Sequence, residues 1–318
     1  MRISERFELD DLQRGYVDLV MYVVENGETA TPRGIPTREV LGAQIVLRDP
    51  RNALPVGVGR GVSPTFNAAG AACLVGGVSY PEILTRIAPR FANFNRDGID
   101  RERYGPRSWL QVLGCVRHLT EDPHSREAIV TVQPARTEEA DGGRVFPCTT
   151  SIQFLLRDGA LNCVVSMRSN DVWSGLSGDI WTFTQLQRTV AWALGAELGA
   201  YIHNAASLHI YANDGDPPGV ERVPTLHYPN RPGIDINGFA AEETSGDNPL
   251  SRILLAQLYA RAALGVGNEV GSSPLPANVA WYAGRLRDHW RANAMCADCR
   301  EVTELKDTRH ELACGHHQ

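Results

Sequence analysis

Apolar residues recur at helical spacing at Leu12, Tyr16, Leu19, Val20 and Val23, and Gly27 follows them. This pattern predicts an amphipathic first helix with a glycine stop. The next segment, GETATPRGIPTREV, is rich in Gly, Pro and Thr and reads as a loop entering a strand near residues 41–47. The small-residue run VGVGRGVSPTFNAAGAACLVGG predicts a tightly packed helix. Its glycines are not a P-loop, because no Lys-Ser/Thr follows them. Helical periodicity returns at 109–119, and AIVTVQP reads as a strand. Two further strands, 151–156 and 161–167, flank the sequence RDGA, whose Asp-Gly is a hairpin signal. A long helix is expected over 180–198, a strand over 201–211, a proline-rich loop over 217–232 and a helix over 250–264. Strands interleaved with helices give an α/β (α+β) fold class, a mixed sheet flanked by helices.

Composition narrows the function classes. The chain has 318 residues, 43% of them hydrophobic, enough for one large core. A net charge of −6 argues against broad binding to nucleic acid or anionic membrane, while leaving room for a local basic pocket. No apolar run approaches the roughly 20 residues of a membrane span, and the N-terminus is charged, so a cytoplasmic protein is expected. The seven cysteines are an odd number and four stand singly, unlike a secreted disulfide framework. The other three lie in the C-terminal stretch MCADCREVTELKDTRHELACGHHQ. There the pair Cys296 and Cys299 is followed by Cys314 with His316 and His317. Cys296, Cys299, Cys314 and His317 are the expected ligands of a structural zinc. Residues 1–290 are therefore expected to be one domain, and 291–318 a Cys/His tail.

Candidate chemistry concentrates between Val145 and Asp179, VFPCTTSIQFLLRDGALNCVVSMRSNDVWSGLSGD. Cys148 follows Pro147, which fixes the backbone before it, and arginines elsewhere in the chain would favour its thiolate if the fold brings them close. Cys73, Cys115 and Cys163 sit in apolar runs and read as inert core residues. Arg168 closes an apolar strand and is expected to point into the face of the sheet.

The run PC-x5-QF-x4-G-x-L, then RS-x-D-x3-G, a long helix and LHIYAND resembles thymidylate synthase and, more broadly, the folate-dependent enzymes that modify pyrimidine nucleotides at C5. The resemblance runs from about Leu12 to Asp214 and is densest from Pro147 to Tyr211. It implies a thymidylate synthase-like fold, a homodimer built sheet to sheet, and roles for particular residues. Cys148 matches the nucleophile that attacks pyrimidine C6, and Tyr104 a tyrosine near it. Arg168 and Ser169 match ligands of the 5′-phosphate, and Arg126, in DPHSR, an arginine that reaches the partner's phosphate. Arg33 or Arg38 matches the phosphate arginine of the N-terminal loop. His209 and Tyr211 match the pair that bonds the sugar 3′-OH. Asp171 and Gly175 match positions on the folate and base side. Several arginines suit a phosphate dianion, because the guanidinium fork fits phosphate oxygens.

The departures from the family pattern set the expected substrate. Asp179 stands where thymidylate synthases carry the asparagine that reads uracil. A carboxyl accepts from the cytosine amino group, and its protonated form, or a protonated N3, supplies the second bond. Asp179 therefore joins Cys148 and Tyr104 as an expected catalytic residue and points to CMP or dCMP, as in the family's cytidylate hydroxymethylases. The glutamate that organises active-site water is absent near Gly70, and Thr149 replaces the histidine after the nucleophile. Phe91 and Phe94 stand for the tryptophans of the folate site, and the apolar closing tail is missing. The expected reaction is C5-hydroxymethylation with 5,10-methylenetetrahydrofolate. C5-methylation, or a catalytically inactive nucleotide-binding homologue, are the alternatives. Neither membrane nor nucleic acid is an expected partner.

Overall fold

The structure, a computed structural model, describes residues 4–55, 63–79, 81–93, 104–133, 147–211 and 248–264. Among these, eight strands form one mixed sheet. They are β1 (Arg6–Leu9), β2 (Glu28–Ala30), β3 (Thr37–Leu47), β4 (Ile129–Thr131), β5 (Thr149–Arg157), β6 (Ala160–Met167), β7 (Asn170–Asp171) and β8 (Glu197–Tyr211). The order across the sheet is β1-β3-β8-β6-β5-β4, with β2 added to β3 and β7 to β8. β8 runs antiparallel to β3 and parallel to β6 and β7. This is the expected mixed sheet flanked by helices.

The helices are α1 (Leu12–Asn26), α2 (Pro64–Gly76), α3 (Pro81–Ile87), α4 (Tyr104–Glu121), α5 (Leu176–Leu194) and α6 (Pro249–Ala263). α1 and α5 lie against the sheet, and α2 packs on α5, α4 and α6. The apolar stripe of α1, Leu12, Tyr16, Leu19, Val20 and Val23, is at most 2% exposed. Asp11 caps this helix by accepting from Arg14 N at 2.9 Å. The Tyr16 hydroxyl reaches across the core to donate to the carbonyls of Val172 and Trp173, at 2.9 and 3.2 Å. The first helix is thereby tied to the turn that leads into α5.

Alternation places Ile45 and Leu47 of β3, Tyr201 and His203 of β8, Cys163 and Val165 of β6, and Ile152 and Phe154 of β5 in the core. Asp158 and Gly159 take left-handed conformations in the two-residue hairpin between β5 and β6, as the Asp-Gly signal predicts.

Several boundaries differ from the sequence pattern. α5 begins at Leu176 rather than at 180, so Asp179 lies inside its first turn instead of capping it. It ends at Gly195, whose N–H reaches the carbonyls of Ala191 and Trp192, and 197–198 belong to β8. α2 begins at Pro64, behind the Ser63 cap, and α4 at Tyr104. Only Ile129–Thr131 of the AIVTVQP run pairs with β5. The proline-rich segment 217–232 and the Cys/His tail lie outside the described residues.

Candidate active site

The open end of the β5–β6 hairpin brings the predicted nucleophile to the predicted phosphate ligand. Cys148 immediately precedes β5 and is half-buried. Its carbonyl accepts the backbone N–H of Arg168 at 2.9 Å. The Arg168 side chain folds back so that Nε donates to the Pro147 carbonyl at 3.2 Å. Arg168 is exposed, which corrects the expectation that it points into the sheet face. The alternation of β6 uses its last core position for Met167, which leaves Arg168 at the rim with its side chain on the Pro147 carbonyl. The other cysteines described are buried and in no disulfide, and burial pushes the Cys115 thiol up to about 12 and that of Cys163 higher still.

Tyr104, at the start of α4, joins this corner. Its hydroxyl oxygen accepts from the N–H of Thr149 at 3.4 Å and from its Oγ1 at 3.3 Å. The tyrosine therefore stands over the residue that follows Cys148. The Thr149 side chain, in the position the family gives to histidine, is engaged with it.

The RSND run turns from β6 into β7. Ser169 is half-buried and Asn170 buried. Asp171 is opposite His209 in the β7–β8 ladder, and its Oδ1 accepts the N–H groups of Trp173 and Ser174 at 2.8 and 3.1 Å. This carboxylate therefore shapes the turn before α5. Gly175 is the next element of the corner. A Cβ there would stand 3.3 Å from both Asn170 Nδ2 and Asp179 Oδ2, so the bare backbone is what leaves room for those side chains. Asp179 Oδ2 accepts from Asn170 Nδ2 at 2.7 Å.

His209 is buried, and its ring meets that of Tyr211 edge to face at 5.2 Å. Arg33 Nη2 donates to the Tyr211 hydroxyl at 3.4 Å, while Arg38 Nη1 donates to the Gly27 carbonyl at 3.3 Å. Of these two arginines, the structure places Arg33 with the His209–Tyr211 pair. Arg126 is exposed at the sheet's far side, where its carbonyl accepts from Gln153 Nε2 at 2.8 Å. It is not brought to Cys148 within this chain. Phe91 packs edge to face on Phe66 at 5.6 Å. Phe94, Cys296, Cys299, Cys314 and His317 lie outside the described residues. Among the described residues, no group of His, Cys, Asp and Glu side chains is arranged to hold a metal, and no helix is long and apolar enough to cross a membrane.

Residues 95–243 match the family model described as Thymidylate synthase. Over that stretch the chain is similar to thymidylate synthases. The chain is 26% identical over 217 residues to the deoxyuridylate hydroxymethyltransferase of Bacillus phage SP01, a match covering 63% of this chain and 57% of that protein. It is 30% identical over 118 residues to the thymidylate synthase of Staphylococcus haemolyticus (strain JCSC1435), covering 37% of this chain and 36% of that one. The chain thus spans less than two thirds of either relative. The matched stretch contains the Cys148 corner, the RSND turn and β8.

Two residues of this corner escape motif reading. Asn170 occupies the unspecified position of RS-x-D, and His203 lies in an apolar strand. A usable signal was present, because Tyr201 and His203 share the core row of β8, and a core histidine needs polar partners.

Proposed function

We propose that this chain catalyses folate-dependent C5-hydroxymethylation of a cytidine nucleotide monophosphate, CMP or dCMP. The observation that carries the reading is the contact of Arg168 with Pro147 and Cys148, whose carbonyls accept from its side chain and its backbone, so that the arginine lies against the segment carrying the half-buried cysteine. A cation there favours the thiolate and the nucleotide phosphate alike. Cys148 Sγ bonds to C6 of the base, and the C5–C6 π pair moves to C5, splitting one hard step into easier ones. 5,10-Methylenetetrahydrofolate supplies the one-carbon unit that C5 takes up. Loss of the C5 proton and of tetrahydrofolate would leave an exocyclic methylene, water would add to it to give the hydroxymethyl group, and Cys148 would leave C6 as the C5–C6 double bond re-forms. The half-buried Phe91–Phe66 pair and the Asp171 carboxyl fit a pterin, offering an aromatic face and an acceptor for ring N–H groups.

Arg168 and Ser169, with Arg33, grip the phosphate in this reading, and His209 and Tyr211 hold the sugar. Asp179 reads the cytosine edge. The hydroxymethyl outcome is supported by the activity named for the phage relative, although the base named there is uracil. The cytidine assignment rests on Asp179. A second copy of the chain, packed sheet to sheet, contributes Arg126 to its partner's phosphate. The tail residues Cys296, Cys299, Cys314 and His317 hold a structural zinc, which metal analysis of the full chain tests.

The deciding experiment measures tritium release from 5-tritiated CMP and dCMP with methylenetetrahydrofolate, followed by mass spectrometry of the product. Release and a 5-hydroxymethyl product are expected with one of the two, and none with Cys148→Ser. A 5-methyl product would replace this reading with a synthase-type reaction. A specific observation favours the inactive alternative. The side of α2 facing Thr182 carries Gly70, with 3.9 Å from its Cβ position to Thr182 Oγ1, and no carboxylate there. Nucleotide binding without tritium release from either substrate would establish that alternative.

A further inference from the structure

Behind Asp179 a line of polar side chains runs into the core. Tyr201 Oη lies 3.0 Å from His203 Nδ1, His203 Nε2 lies 3.0 Å from Asn170 Oδ1, and Asn170 Nδ2 lies 2.7 Å from Asp179 Oδ2. Tyr201 and His203 are 0% exposed, and Asn170 is 4% exposed. Side chains this deep hydrogen-bond fully or cost stability. Asn170 stands 33 residues before His203 in sequence, yet their side chains meet.

The chemistry of each group fixes the direction of the line. An ionised carboxylate only accepts, so the amide turns its N–H to Asp179 and its oxygen to His203. That oxygen only accepts, so the imidazole carries its proton on Nε2. Nδ1 is then a lone pair, and the tyrosine must donate to it. Burial supports both ends of this assignment. It pushes His203 down to about 3, keeping the ring neutral, and raises Tyr201, keeping the phenol protonated. The reverse polarity needs a proton on Asp179 Oδ2, together with an amide flip, a tautomer change and a turned hydroxyl. Gly175 keeps the last joint open, since a Cβ there would press on both partners of the Asn170–Asp179 bond.

We propose that Asn170 and His203 are positioning residues that hold Oδ2 of Asp179 as a standing hydrogen-bond acceptor, so that any proton shared with the base sits on the Oδ1 side and the site selects cytosine over uracil. This rests on the reading of Asp179 as the group that meets the base. Cytosine offers an acceptor at N3 and a donor at its amino group. A carboxyl whose two oxygens have settled roles, one accepting and one sharing a proton, matches that edge. A carboxyl free to rotate or to protonate on either oxygen does not discriminate as well. Specificity then depends on a histidine buried in the sheet that never touches the nucleotide.

The test compares the native full chain with His203→Phe, His203→Gln and Asp179→Asn. Affinities for CMP, dCMP, UMP and dUMP are measured by calorimetry, with ribose 5-phosphate as the base-free control. Glutamine keeps an amide N–H where the ring Nε2–H stands, whereas phenylalanine keeps the packing and removes the donor. His203→Phe is expected to lower the cytidylate-to-uridylate affinity ratio about tenfold, the scale of one hydrogen bond to a charged group. His203→Gln is expected to retain that ratio, and both variants to bind ribose 5-phosphate as the native chain does. The nitrogen-15 shifts of the His203 ring, assigned by their loss in His203→Gln, should show a neutral imidazole protonated at Nε2. Equal losses in the two His203 variants, or a proton on Nδ1, would overturn the relay while leaving the Asp179 reading standing. A native chain without base preference, or an Asp179→Asn chain with an unchanged ratio, would overturn the Asp179 reading and the selectivity drawn from it. The imidazole shifts report on the relay separately in that case.

Discussion

The buried imidazole makes stability depend on pH in a window that its own environment sets. His203 is fully buried, and burial lowers its affinity for a proton from an ordinary value of 6.5 to about 3. Between those limits the unfolded chain binds a proton at this residue and the native chain does not. Stability therefore rises with pH in that window, and acidification from 6.5 toward 3 removes it. Each pH unit is worth about 1.4 kcal/mol, so taking the protein from pH 7.5 to 5.0 should cost about 2 kcal/mol at this site. That is a large share of the roughly 5–15 kcal/mol typical of a folded domain. Carboxylates titrate over part of the same range, so the measurement must be a double difference. Urea unfolding midpoints and slopes would be recorded at both pH values for the native chain and for His203→Gln, which does not titrate. The native chain should lose about 2 kcal/mol more than the variant. Equal losses, or a His203 ring resonance titrating near 6.5, would refute the assignment of a neutral buried imidazole.

Two other substitutions probe how the corner is held. Gly175→Ala puts a methyl 3.3 Å from both Asn170 Nδ2 and Asp179 Oδ2; cytidylate affinity should fall several-fold on the scale of one strained hydrogen bond, with ribose 5-phosphate affinity unchanged by calorimetry. Tyr16→Phe removes the donor to the carbonyls of Val172 and Trp173; it should lower the unfolding free energy by about 1 kcal/mol, read from the urea midpoint. An unchanged midpoint would show that α1 does not restrain the turn before α5.

Helical periodicity and the Asp-Gly hairpin were visible along the chain because both depend on local residue pattern. The start of α5 was hidden for a physical reason. Its first turn, with Gly175 before it and Gly178 within it, has the composition of a loop. Close approach of side chains explains the composition, since a Cβ at Gly178 would lie 3.1 Å from Asn67 Oδ1. Packing has overridden helix propensity there. The length of β3 was masked in a similar way. Its buried row passes from Val40 to Ala43 across Gly42, which has φ +68°, and an alternation broken at that point reads as a shorter strand. The relay behind Asp179 has no sequence period at all. It exists only because β7 lies beside β8 and sets Asn170 opposite Leu208.

The pairing of Cys148 with Arg168 is the most exacting case, because hairpin counting alone gives a different answer. From the turn outward, Arg157 faces Ala160 and Ser151 faces Ser166. Continued without interruption, that register puts Ser169 across from Cys148. The ladder slips by one residue between Ser151 and Thr149, so that Thr149 faces Met167. Thr150 is the extra residue, and its Oγ1 donates to the Ser166 carbonyl at 2.9 Å. A bulge of this kind re-aims the side chains beyond it. Here it brings the Arg168 N–H, rather than that of Ser169, to the Cys148 carbonyl. Arg168 paired with the Cys148 backbone, and Ser169 one residue further on, follow from that slip. Motif matching identifies Cys148 and Arg168 separately, whereas the inserted Thr150 is what makes them neighbours.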